Sequence, residues 1–80
     1  MYYVYILASI ADDRLRYTGF TQDLRSRLLA HNAGQNQATI PGRPWRLVSY
    51  FAFADPTKAR AFERYLKSGS GKTFAKRHFI

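Results

Sequence analysis

The sequence contains no cysteine, which excludes a disulfide framework and any thiolate metal site and fits a reducing compartment. Acidic residues are also scarce: five Asp and Glu stand against 13 Lys and Arg, a formal charge of +8. No apolar run is long enough for a membrane span. The run YYVYILASIA near the N-terminus falls short of the ~20 apolar residues a spanning helix needs, and no basic leader precedes it. These absences lead to the expectation of a soluble, cytoplasmic protein with no membrane partner. No repeat or linker divides the chain, so one domain over residues 1–80 is expected.

What is present is apolar mass and positive charge. Hydrophobic residues make up 46% of the chain, with six Tyr and six Phe, enough for a core and too many for disorder. A chain of this size still buries only ~60% of its unfolded surface, so a polar side chain on an inner face needs a reason. The charge favours a polyanion, because every phosphate neutralised releases condensed counterions. Acidic lipid is the weaker reading, since no long basic amphipathic helix is present. Nucleic acid is therefore the expected partner.

Residues 2–8, aromatic and β-branched, read as a strand; SIADDR is a turn, and LRYTGF a second strand completing an antiparallel hairpin. Thr21 is a candidate cap for a helix from about Gln22 to Asn32, ended by Ala33-Gly34. GQNQATIPGRP reads as a loop and WRLVSYFAFA as a third strand. Asp55-Pro56 starts a second helix running to about Lys67; SGSG breaks the chain, and KTFAKRHFI forms a short helix or strand. The order β-β-α-β-α-(α) describes one α+β domain.

Four features depart from these patterns. At about 100° per residue, Leu24, Arg27, Leu28 and His31 share one sector of the first helix. Arg27 is either a snorkelling stem or a functional cation, and His31 either an ordinary C-terminal histidine or a functional imidazole. By contrast, Arg14 and Arg25 read as solvated charges. In the second helix Glu63 falls on the apolar face with Ala59, Phe62 and Leu66. Its charge requires a cation, either Arg27 or a bound metal. Tyr3 and Tyr5 share a face of the first strand, as Tyr17 and Gly19 do in the second. They are core tyrosines, or else a neighbouring cation lowers a hydroxyl pKa and makes it a base. SGSGKT imitates a P-loop, but Leu66 stands where that motif needs glycine and a helix precedes it instead of a strand. It reads better as a basic turn facing phosphate.

The tripeptides YVY (3–5) and YTG (17–19), about twelve residues apart, are followed by Arg27-x-x-x-His31 and by Glu63 in AFERYLKSGSGK. In this order they resemble the GIY-YIG nuclease superfamily over nearly the whole chain, most closely its small stand-alone bacterial members of the excinuclease-like kind. GRPWRLV resembles a Pro-Trp segment of structure-specific nucleases in the same superfamily. The resemblance implies a small three-stranded antiparallel sheet flanked by helices and a divalent-metal-dependent endonuclease. It implies Tyr5, Tyr17, Arg27, His31 and Glu63 as catalytic residues, with Glu63 holding one Mg²⁺ or Mn²⁺. Arg27 would clamp a phosphate oxygen, and a tyrosine polarised by His31, Tyr5 before Tyr17, would be the base.

DNA, branched or damaged and in repair or recombination, is the expected substrate, with RNA as the alternative. Arg25, Arg43, Arg46, Lys67, Lys72 and Lys76 are the candidates for nucleic-acid contact. Two departures stand out: Tyr3 replaces the first motif's glycine, and Ala75 occupies a place where many relatives carry asparagine, whose phosphate-facing role would pass to Lys72 or Lys76. The rival reading is a catalytically weak or inactive nucleic-acid-binding module acting with a protein partner.

Overall fold

A computed structural model describes residues 1–79; Ile80, the last residue of the expected terminal element, lies outside the described residues. The strands are β1 (Tyr2–Ser9), β2 (Arg16–Thr21) and β3 (Trp45–Phe53), and the helices α1 (Leu24–Asn32), α2 (Pro56–Lys67) and α3 (Gly69–His78). They form one antiparallel sheet in the order β2-β1-β3, the α+β arrangement expected. The central strand is β1, buried from Val4 to Ser9, as its apolar composition requires for a strand covered on both faces.

The pleat of β1 divides the core in two. Val4 and Ile6 pack with Ala59, Leu66 and Ala75 from α2 and α3. Tyr5 and Leu7, on the other face, pack with Trp45, Tyr17, Leu24 and Leu28. This alternation is the period-two pattern of a strand, and it places the Tyr5 and Tyr17 rings 6.3 Å apart.

Helix starts follow capping chemistry, once with a correction. Asp55 caps α2, its carboxylate accepting from the Thr57 N–H at 2.8 Å, with Pro56 in the first turn. For α1 the cap is Asp23, which accepts from the Ser26 N–H, and not Thr21. Thr21 lies two residues too early; its buried hydroxyl accepts from the Asp23 N–H instead and holds the cap in place.

Two further segments differ from expectation. GQNQATIPGRP contains a 3₁₀ helix, Gln37–Gly42, capped by the Asn36 side chain. SGSG is not a flexible break: only Ser68 separates α2 from α3, and its hydroxyl caps the new helix at Gly71. A Cβ at Gly71 would overlap the Tyr65 carbonyl, so glycine permits the tight turn that brings α3 back onto α2. Among the described residues, no helix is long and apolar enough to cross a membrane.

Candidate active site

The two tripeptides meet across the sheet. β1 and β2 pair Tyr5 with Gly19, and a Cβ at Gly19 would overlap the Tyr5 hydroxyl and Cζ. The glycine therefore makes room for the Tyr5 ring over the edge strand. Gly19→Ala is expected to displace that ring and lower unfolding free energy by about 1–3 kcal/mol, a cost typical of overpacking. Urea titration measures the loss; an alanine variant of parental stability would contradict the close approach.

Around Gly19 opens a pocket of about 400 Å³, lined by Tyr5, Tyr17, Arg27, Arg60 and Glu63 among others. Behind it His31 is fully buried, the only buried residue of α1. The Tyr5 hydroxyl and His31 Nε2 are 2.8 Å apart, and His31 Nδ1 lies 2.8 Å from the Thr39 hydroxyl. The edge of the Tyr17 ring meets the imidazole at a centroid separation of 5.0 Å. Of the sector shared by Leu24, Arg27, Leu28 and His31, Arg27 is exposed: it lines the pocket while His31 supports it from within.

The electrostatics correct one expectation. The Tyr5 pKa is raised, not lowered: burial is the main cause, Tyr17 adds to it, and Arg27 only partly opposes it. The phenolate is disfavoured. His31 is shifted down by burial and by the Arg27 charge, so its imidazole is neutral at neutral pH.

Glu63 is also corrected. Among the described residues its carboxylate pairs neither with Arg27 nor across elements, but with two cations of its own helix, Arg60 Nη1 at 3.2 Å and Lys67 Nζ at 3.0 Å. Arg60 is held for this role by stacking on Phe20, its guanidinium carbon 3.8 Å from the ring centroid. The (i, i+3) and (i, i+4) spacing of these pairs is visible in the sequence. Among the described residues no three His, Asp or Glu side chains gather, so an all-protein metal cage is absent there. A single pocket-lining carboxylate suits Mg²⁺ or Mn²⁺, which keep waters and take further oxygens from substrate phosphates.

Cations extend from the pocket on one side. Lys67, Lys72 and Lys76 line a groove of about 770 Å³ together with Arg14 and Arg16, and Tyr17 is common to groove and pocket. Arg14 had read as merely solvated; it bridges Asp12 at 2.9 Å and lines this groove. Arg25, Arg43 and Arg46 do not line the pocket or the groove. Arg25 and Arg46 are exposed, and Arg43 folds back on its own turn, Nε donating to the Ile40 carbonyl at 3.4 Å. Thr39 and Arg60 were not singled out from the sequence. Arg60 could have been found by its spacing from Glu63, whereas nothing in the sequence marks Thr39.

The model of the GIY-YIG catalytic domain matches residues 1–77. A UPF0213 protein of Lacticaseibacillus paracasei is 39% identical over 67 residues, covering 82% of this chain and 73% of its own. One from Clostridium perfringens is 40% identical over 68 residues, covering 84% of this chain and 71% of its own. A third, from Haloquadratum walsbyi, is 37% identical over 68 residues, with 84% and 74% covered.

Proposed function

The chain belongs to the GIY-YIG family, a nuclease family, and from that premise we propose that it is a divalent-metal-dependent endonuclease hydrolysing phosphodiester bonds in DNA. The observation that carries this reading is the Tyr5–His31 hydrogen bond at the back of a pocket whose walls hold Arg27 and Glu63. A hydroxyl backed by a neutral imidazole moves a proton without forming a phenolate, so the raised Tyr5 pKa suits a shuttle.

Water attacks phosphorus, forming a new P–O bond, and its proton passes to the Tyr5 oxygen as the Tyr5 proton passes to His31 Nε2. The P–O bond to the sugar breaks; that oxygen leaves with the bonding pair and takes a proton from solvent. Arg27, whose guanidinium has no side-chain partner among the described residues, donates to the non-bridging oxygens where charge develops. Glu63 would hold the Mg²⁺ or Mn²⁺, which when bound supplies Lewis-acid stabilisation of charge at the phosphate. Arg60 and Lys67 balance the Glu63 charge otherwise, and Lys67 also faces the cationic groove.

The strand on one side of the cut would run along Lys67, Lys72 and Lys76 in that groove. Recognition there is by phosphate and therefore by shape more than sequence. Branched or damaged DNA, met in repair or recombination, fits such a reader. Ala75 is buried in the core with Leu66 and lines the lysine groove beside Lys72 and Lys76, not the catalytic pocket. An asparagine missing there leaves the pocket as it is and takes a polar group only from the groove, where Lys72 and Lys76 supply the phosphate contacts.

The test is incubation with labelled single-stranded, duplex, flap and junction DNA, and the matching RNAs, with Mg²⁺, Mn²⁺ or EDTA. Cleavage of DNA with metal and none with EDTA is the expected result. Salt-sensitive binding without cleavage under every metal condition would replace the enzyme with a binding module.

A further inference from the structure

We propose that Thr39 is a positioning residue for this site, fixing His31 in the tautomer whose Nε2 lone pair faces the Tyr5 hydroxyl. The inference rests on the reading of Tyr5 and His31 as a proton relay and adds what sets its direction. Three groups form a buried chain: the Tyr5 hydroxyl 2.8 Å from Nε2, Nδ1 2.8 Å from the Thr39 hydroxyl, and that hydroxyl 3.1 Å from the Asn36 carbonyl.

The Thr39 hydroxyl lies within donating distance of the Asn36 carbonyl, which only accepts, and that is where we place its one proton. Toward His31 its oxygen then only accepts, which places the imidazole proton on Nδ1. Nε2 is left with the lone pair, and the Tyr5 hydroxyl must donate to it. The opposite tautomer would require Thr39 to turn its hydroxyl proton away from the Asn36 carbonyl and onto Nδ1. It would also point Nε2–H at Tyr5 and leave the relay no lone pair to receive the tyrosine proton. When His31 takes the Tyr5 proton, the Nδ1–H bond to Thr39 stays in place, so the imidazolium is still partnered.

Thr39 is itself held rigidly. It is fully buried and does not line the pocket, so it acts only through His31. Its N–H donates to the Asn36 carbonyl at 3.0 Å, and its own carbonyl accepts from Trp45 Nε1 at 2.8 Å. Trp45 is clamped in turn by the Asn32 side chain, which accepts from its N–H at 2.6 Å and donates to its carbonyl at 3.1 Å. A segment that reads as polar loop is thus a bracket for one hydroxyl.

The experiment compares the parent with Thr39→Val, which keeps the shape and loses the acceptor, and Thr39→Ser, which keeps both proton roles. Long-range ¹H–¹⁵N spectra of labelled protein, without metal or DNA, read the His31 tautomer. The parent and Thr39→Ser are expected to carry the proton on Nδ1, and Thr39→Val to shift it wholly or partly to Nε2. In cleavage of labelled DNA with Mn²⁺, Thr39→Val should lower kcat roughly 10–100-fold, the usual scale for a group that orients a histidine, with KM little changed. Thr39→Ser should restore most of the rate. A parent with its proton on Nε2 would overturn the proposal even if Thr39→Val did not fold, and so would a Thr39→Val variant with parental tautomer and kcat. Absence of nuclease activity in the parent would overturn the relay as a catalytic device while the spectra still judged the Thr39–His31 assignment.

Discussion

Tyr5→Phe is expected to reduce the cleavage rate of DNA by ~10²–10⁴, the range that positioned proton transfer contributes. The ring is only 2% exposed and stays wedged over Gly19 against Tyr17, so phenylalanine keeps the packing. What disappears is the pocket-lining atom that hydrogen-bonds His31. Because His31 Nε2 then lies buried without its donor, about 1–3 kcal/mol of stability goes with it. Single-turnover rates and thermal unfolding separate the two effects. His31→Ala and Tyr5→Phe act on one relay, so their losses should not add in the double variant. A Tyr5→Phe enzyme cutting within a few-fold of the parent would transfer the role to Tyr17, whose ring edge also meets the imidazole.

The same relay has a pH signature. The lowered His31 pKa keeps the imidazole neutral into more acidic solution than an ordinary histidine, so activity should persist there and fall only when His31 protonates in the fold. Stability follows the same sign. The unfolded chain binds the proton more readily, so this contribution is full above histidine's ordinary pKa and is lost as pH falls toward the depressed one.

Much of this was legible because it is local. The strand β1 shows its period, Asp55-Pro56 shows a helix start, and the Tyr5, Tyr17, Arg27, His31 and Glu63 constellation departs from apolar patterning at positions that converge in space. Misreadings came where contacts decide between local options. Thr21 and Asp23 are both good caps; the strand running on to Thr21 selected the later one. An arginine lowers the pKa of a neighbouring tyrosine, but burial raises it, and at the depth where Tyr5 fits over Gly19 burial outweighs Arg27. Thr39 gives no local signal, since its role comes from His31 eight positions away and from the Trp45 ring that anchors its carbonyl.

Glu63→Gln separates the chemistry of the site from its charge balance. The amide keeps the volume of the carboxylate and still accepts from Arg60 or Lys67, so the fold should persist. The two pairs it weakens join the mostly buried Glu63 carboxylate to exposed cations of its own helix at (i, i+3) and (i, i+4), worth about 0.2–0.5 kcal/mol each. With the burial cost of the charge also removed, the change in unfolding free energy should stay below about 1 kcal/mol. Cleavage should fall ~10³-fold or more in Mg²⁺ and Mn²⁺, because an uncharged amide is a poor ligand and stabilisation worth several kcal/mol goes with the ion. Binding should move the other way. Removing a negative charge beside Arg60 and Lys67 loosens their tie to this side chain and leaves both more available to phosphate, so affinity for labelled DNA at low salt should hold or rise in fluorescence anisotropy. Tighter binding, an intact fold and no cutting would together mark Glu63 as the metal ligand. A variant that cuts like the parent would leave Glu63 as nothing more than the counter-ion of its own helix.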